Sequence, residues 1–123
     1  MRDPLDRMVS EYCNQYENLN DPNKDPSKFY QWVYDMIELY EKNKYCKDNH
    51  IRPQVDFIHK DMEVFKFGEW DYILKRINEE TGITVNKLGK VNSRKYKKFD
   101  VYKETKEVIY DFYKDDLNKF SIL

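Results

Sequence analysis

Residues 55–67 read VDFIHKDMEVFKF, and the fold class turns on them. The runs VDFI at 55–58 and EVFKF at 63–67 are short, rich in β-branched or aromatic residues and set between polar neighbours, so each predicts one strand. Outward from them the pattern is helical. Upstream, Phe29, Trp32, Val33, Met36, Ile37 and Tyr40 recur at steps of three and four, the signature of one buried helical face, with Ser27 as the expected cap. Further upstream, Leu5, Met8, Val9, Tyr12, Cys13 and Tyr16 follow the same rule behind Asp3 as N-cap and Pro4 as first helical residue. Between these two helices, NDPNKDPS at 20–27 predicts a turn-rich loop.

Downstream, a helix is expected from about Glu69, with Trp70, Ile73, Leu74 and Ile77 inward and Gly82 where a left-handed C-cap is needed. The stretch ITVNKLGKVNSRKYKKF at 83–99 has no sustained period and predicts a long basic loop. A last helix from about Lys103 presents Thr105, Val108, Ile109, Phe112 and Tyr113, then Leu117 and Phe120. The result is a helix-rich α/β chain with a few short strands. Two strands make a poor sheet alone, so the pattern predicts a partial domain over residues 1–123.

The charge balance narrows function. The 22 Lys plus Arg nearly match the 23 Asp plus Glu, so no global field favours nucleic acid or a membrane surface, and any anion site must be local. A mean hydropathy of -0.99 suggests disorder, but aromatics make up 16% of residues and fall at regular spacings, which predicts a folded chain. The absence of Ala and the abundance of Lys, Asn, Tyr, Asp and Ile fit AT-rich coding better than a functional bias. Cys13 and Cys46 have no metal-ligand spacing and are too sparse for a disulfide framework, which points to a reducing compartment. No apolar run is long enough to span a membrane, and no signal-peptide core is expected at the amino terminus.

The chemistry concentrates at the opening MRDPLDRMVS. A helix amino terminus presents unpaired N–H groups and a positive dipole end, so an arginine just before it and a hydroxyl on its flank can hold a phosphate. By physics alone, an ordinary capped helix explains the same residues. The spacing R-x-P-x-x-R-x-x-S-x-Y, met as Arg2, Pro4, Arg7, Ser10 and Tyr12, resembles the 3′-phosphate-binding motif of sulfotransferases that use PAPS (3′-phosphoadenosine 5′-phosphosulfate). HIRPQVDFI, EVFKFGEWDYILKRIN, VNSRKYKKF and VIYDFYKDDLNKF agree with that family in order, especially with its carbohydrate-type and bacterial branch. One departure is Gly68, with Glu69 next, where relatives often put Glu directly after the strand.

The resemblance implies the helix-rich carboxyl-terminal portion of a P-loop-like sulfotransferase domain. In it, Arg2 and Ser10 contact the cofactor's 3′-phosphate, and Arg7 has a supporting role. Ser93, Arg94, Lys95 and Lys97 belong to a late loop that closes over PAPS in relatives, although a solvated surface turn explains them equally. His50, Arg52 and Gln54, in HIRPQ, are candidate contacts for the acceptor, a hydroxyl compound expected to be a carbohydrate, while His59 is expected to be structural or exposed. The phosphosulfate loop and catalytic base are expected upstream of the motif. This chain alone is therefore expected to transfer no sulfate, and no catalytic residue or metal is assigned within it.

Other classes make different predictions. The stretch SRKYKKFDVY, with aromatics between cations, is the pattern of a single-stranded nucleic-acid binder, and the near-neutral charge counts against it. A non-catalytic helical interaction module, or an inactive remnant without nucleotide binding, is the principal alternative. A cytoplasmic location is expected, or the Golgi lumen for a membrane-anchored eukaryotic enzyme. Homo-oligomers are compatible with the sequence.

Overall fold

The computed structural model describes residues 1–15, 25–85 and 100–120. Among these residues five helices form: α1 at Pro4–Gln15, α2 at Pro26–Lys42, α3 at Trp70–Thr81, α4 at Lys103–Phe112 and α5 at Lys114–Phe120, with 3-10 turns at Cys46–Asn49 and Gln54–Phe57. The described residues divide between two compact units. One draws on Met1 and residues 61–85, the other on residues 2–15, 25–60 and 100–120. No helix among the described residues is long and apolar enough to cross a membrane.

The described residues of the larger unit form a helical assembly in which α1 packs on α2 and α4, and α4 runs into α5. Local chemistry sets the helix starts. At α1, Asp3 Oδ2 accepts the Asp6 N–H at 3.2 Å and Pro4 takes the first helical position, where its missing N–H costs nothing. At α2 the cap is Asp25 and not Ser27. Its Oδ1 accepts the N–H groups of Ser27 at 3.0 Å and Lys28 at 3.3 Å, and also takes the Ser27 hydroxyl at 2.6 Å. These bonds hold the Asp25 carboxyl below its ordinary range, the Ser27 hydroxyl acting most strongly.

The core follows the expected stripes. Met8, Tyr12, Phe29, Trp32, Val33 and Met36 are buried together with Cys46, Ile51, Ile109 and Tyr113. Tyr12 stacks on Phe29 at 5.1 Å and on Trp32 at 5.2 Å between ring centroids, an offset arrangement that adds to the area buried. The last helix is interrupted at Tyr113, whose backbone (φ -99, ψ 24) leaves α4 before α5 resumes.

The α/β expectation is overturned, because the described residues contain helices and no strand. The segment expected as the first strand curls into the 3-10 turn at Gln54–Phe57. Its leading N–H groups, those of Gln54 and Val55, donate to the side chain of Asp116 at 3.0 and 2.9 Å. A carboxylate that takes two consecutive amides removes their need for a neighbouring strand.

The segment at 63–67 belongs to the smaller unit. Its Phe65 carbonyl accepts the amino-terminal ammonium of Met1 at 2.7 Å, and its Phe67 N–H donates to the Met1 carbonyl at 2.5 Å. Two bonds to a single residue do not make a ladder. In the same unit, α3 ends as expected on Gly82 in the left-handed conformation, φ 71, which a residue without Cβ adopts freely. None of α3 is buried. Trp70 and Ile77, expected inward, are exposed, and Ile73 and Leu74 are partly covered. Arg76 is held by Glu63 at 2.9 and 3.0 Å and by Glu79 and Glu80 at 3.0 Å.

Candidate functional site

The opening motif divides by environment. Pro4 and Tyr12 are buried, so two motif positions belong to the core. Arg7 is a brace. Its Nη2 donates to the carbonyls of His50 at 3.2 Å and Arg52 at 3.1 Å, and its guanidinium lies 5.5 Å from the centre of the Tyr113 ring. Its Nη1 is buried without a hydrogen-bond acceptor among the described residues and stands 3.7 Å from Asp116 Oδ2.

Arg2 and Ser10 remain partly exposed, and the Ser10 hydroxyl has no hydrogen-bond partner among the described residues. Ser10 sits about 9 Å along the helix axis from Pro4, at 1.5 Å per residue, so only a long side chain before the helix and a multi-oxygen anion could join the two. The carboxylate of Asp3 already occupies the helix entry. An anion at this motif would therefore meet side chains more than the backbone amides of α1.

Gln54, a candidate acceptor contact, instead ties Arg2 in place. Its Oε1 accepts the Arg2 N–H at 3.0 Å and its Nε2 donates to the Arg2 carbonyl at 2.8 Å. The same Nε2 lies 3.4 Å from Asp116 Oδ2. With both ends of its amide engaged, Gln54 positions the chain ahead of α1. Residues from the two expected sub-sites, Arg2 and Gln54, are thus in direct contact.

The side chain of His50 bonds to α1 away from Arg2. Its Nδ1 is 2.8 Å from Glu11 Oε2, Glu11 Oε1 accepts from Gln15 Nε2 at 3.0 Å, and Gln15 Oε1 accepts the Trp32 indole N–H at 3.2 Å. Because indole only donates, Gln15 turns its Oε1 to Trp32 and its Nε2 to Glu11, and an ionised Glu11, which accepts from both sides, requires Nδ1 to carry the proton. The imidazole is 53% exposed, leaving Nε2 toward solvent. The turn before it holds three successive non-glycine residues with positive φ, Lys47, Asp48 and Asn49, a strained path that Arg7 stabilises from behind through the His50 and Arg52 carbonyls.

Asp116 has no role in the sequence reading, and Tyr113, expected there on the apolar face of the last helix, has an additional one through its hydroxyl. Asp116 is fully buried and receives both backbone amides at the turn. Its signal was its position on the stripe Thr105, Ile109, Tyr113, Asp116, where a charge is out of place unless partnered. Tyr113 donates its hydroxyl to the Ile51 carbonyl at 2.5 Å. Burial pushes its phenol well above the ordinary range, while Arg7 pulls in the opposite direction. Tyr110 reaches Asp3 at 3.3 and 3.4 Å, and burial first, then the Asp3 carboxylate, raises it to about 12.

Ser93, Arg94, Lys95 and Lys97 lie outside the described residues. Among the described residues no group of three His, Cys, Asp or Glu side chains could hold a metal ion. No protein-family model matches the chain, and neither the curated proteins nor the solved structures contain a detectable match.

Proposed function

We propose that this chain supplies the 3′-phosphate side of the cofactor site of a PAPS-dependent sulfotransferase acting on a hydroxyl, with a carbohydrate as acceptor. The supporting observation is the division of labour in the opening motif. Pro4, Arg7 and Tyr12 are consumed by the fold, whereas Arg2 and Ser10, the positions to which the resemblance gives the phosphate, remain partly exposed at the start and flank of α1.

These residues fit an anion. Ser10 offers an unpartnered hydroxyl and Arg2 a cation whose backbone is fixed by the Gln54 amide, so the site is partly preorganised before binding. When bound, PAPS carries the activated sulfuryl group, and transfer is favoured by donors that meet the charge spreading over its oxygens. The work of the residues described here is to hold and orient the far end of the nucleotide.

Isothermal titration of the chain with adenosine 3′,5′-bisphosphate tests this reading. Binding is expected for the parent protein and lost in the Arg2→Ala, Ser10→Ala variant. Equal binding by both rules it out.

A non-catalytic interaction module is the second reading, favoured by the smaller unit. Phe67, Trp70, Tyr72 and Ile83 are all exposed there and no residue of α3 is fully buried, the kind of apolar surface that partners cover. It predicts no nucleotide binding in the same titration.

A further inference from the structure

The side chain of Arg52 is set as a receptor with its outer edge left open. Its guanidinium carbon lies over the Tyr45 ring and over the Phe57 ring, 5.3 Å from each centre, and its Nε donates to Asp56 Oδ2 at 3.0 Å. Two rings and a carboxylate thus fix a group that ordinarily samples many rotamers. Its carbonyl is held by Arg7 and its N–H by the Asn49 carbonyl at 3.2 Å, so the backbone beneath is fixed too.

Among the described residues neither Nη1 nor Nη2 of Arg52 has a protein acceptor, and neither is a buried orphan. The side chain is 19% exposed. The unpaired edge therefore faces water. That edge is the fork that meets two oxygens of a carboxylate or sulfate at once. Asp56 engages the guanidinium through Nε alone and leaves the fork available. Around it, the Tyr45 and Phe57 rings are 57% and 44% exposed, flat apolar surfaces of the kind on which sugar rings stack. Lys44 Nζ lies 5.2 Å from the centre of the Tyr45 ring, adding a second cation.

We infer that Arg52, with Tyr45 and Phe57, forms a binding site for an acidic sugar, its carboxylate or sulfate on the guanidinium fork and its ring against an exposed aromatic face. This rests on the proposed function, of which it names the acceptor class. It also changes the expected acceptor contacts, keeping Arg52, releasing Gln54 and adding two aromatic residues.

The test is titration of the 15N-labelled full chain with glucuronate, glucose and inorganic sulfate, followed by NMR. Glucuronate is expected to shift the signals of Arg52, Tyr45 and Phe57 at concentrations where glucose and sulfate do not. Arg52→Lys, which keeps the charge and removes the fork, is expected to weaken glucuronate about tenfold, the effect of losing one bidentate pair. Tyr45→Ala is expected to weaken it as well, with the helical circular dichroism of both variants unchanged. Equal responses to glucuronate and sulfate, or to glucuronate and glucose, overturn the assignment, as does an Arg52→Lys variant that binds like the parent. Adenosine 3′,5′-bisphosphate in the same samples reads the Arg2 and Ser10 site separately, so loss of one response leaves the other interpretable.

Discussion

The carboxylate of Asp116 accepts the backbone N–H of Val55 at 2.9 Å, joining residues 61 positions apart. It also holds the Gln54 amide and faces Arg7, so removing it leaves two amides and a guanidinium without their partner. Asp116→Ala is expected to destabilise the larger unit by about 3–5 kcal/mol, the range for breaking a buried charged network. Urea unfolding followed by circular dichroism gives the number, and a loss below about 1 kcal/mol would show that the network is dispensable.

Arg7 and Arg2 belong to one motif and predict opposite phenotypes. Arg7→Ala removes the donor to the His50 and Arg52 carbonyls and the group over Tyr113, so it is expected to lower the melting temperature clearly. Arg2→Ala is expected to leave the melting temperature within a few degrees and to weaken adenosine 3′,5′-bisphosphate. Thermal unfolding and calorimetry on the two variants decide the matter, and a reversal of the two effects would reverse the roles given to them.

Alkaline pH bears on Tyr110. Its folded-state value, about 12, lies above the ordinary 10.0, so between those values the folded chain binds more protons than the unfolded one. Stability is then complete below pH 10 and falls as pH rises toward 12. Tyr113, shifted in the same direction, contributes with the same sign. Unfolding free energies at pH 9 and pH 11 should differ, and Tyr110→Phe should reduce the difference. An identical difference in that variant would remove Tyr110 from the account.

The aromatic stack should dominate the core. Phe29 is fully buried and packs against both Tyr12 and Trp32, and Phe29→Ala is expected to cost about 3–5 kcal/mol. Trp32 fluorescence during denaturant unfolding measures this directly.

Periodicity made α1 and α2 legible because their apolar stripes are regular and their entry signals, Asp3-Pro4 and the Asp-Pro-Ser at 25–27, are local. Choosing Ser27 over Asp25 as cap was an error of two positions, since both carry an acceptor oxygen and only geometry selects between them. The strands failed for a different reason. VDFI has strand composition, but the group that satisfies its amides is a single carboxylate far away in sequence, and no local pattern carries that information. Nor does any local pattern show that Gln54 holds Arg2 or that Tyr45 and Phe57 flank Arg52. At α3 the helical period was read correctly, yet a periodic face says only what can be buried.

The contacts that close the larger unit also bear on how fast it forms. Arg2 with Gln54, Ile51 with Tyr113, and Val55 with Asp116 are separated by 52, 62 and 61 positions. Isolated helices appear within about a microsecond, but each of these bonds must first meet the entropy of closing a long loop. The chain should thus refold more slowly than helical bundles built from neighbouring contacts. In stopped-flow measurements, Asp116→Asn should slow refolding and leave the unfolding rate nearly unchanged, the mark of an interaction already made at the barrier.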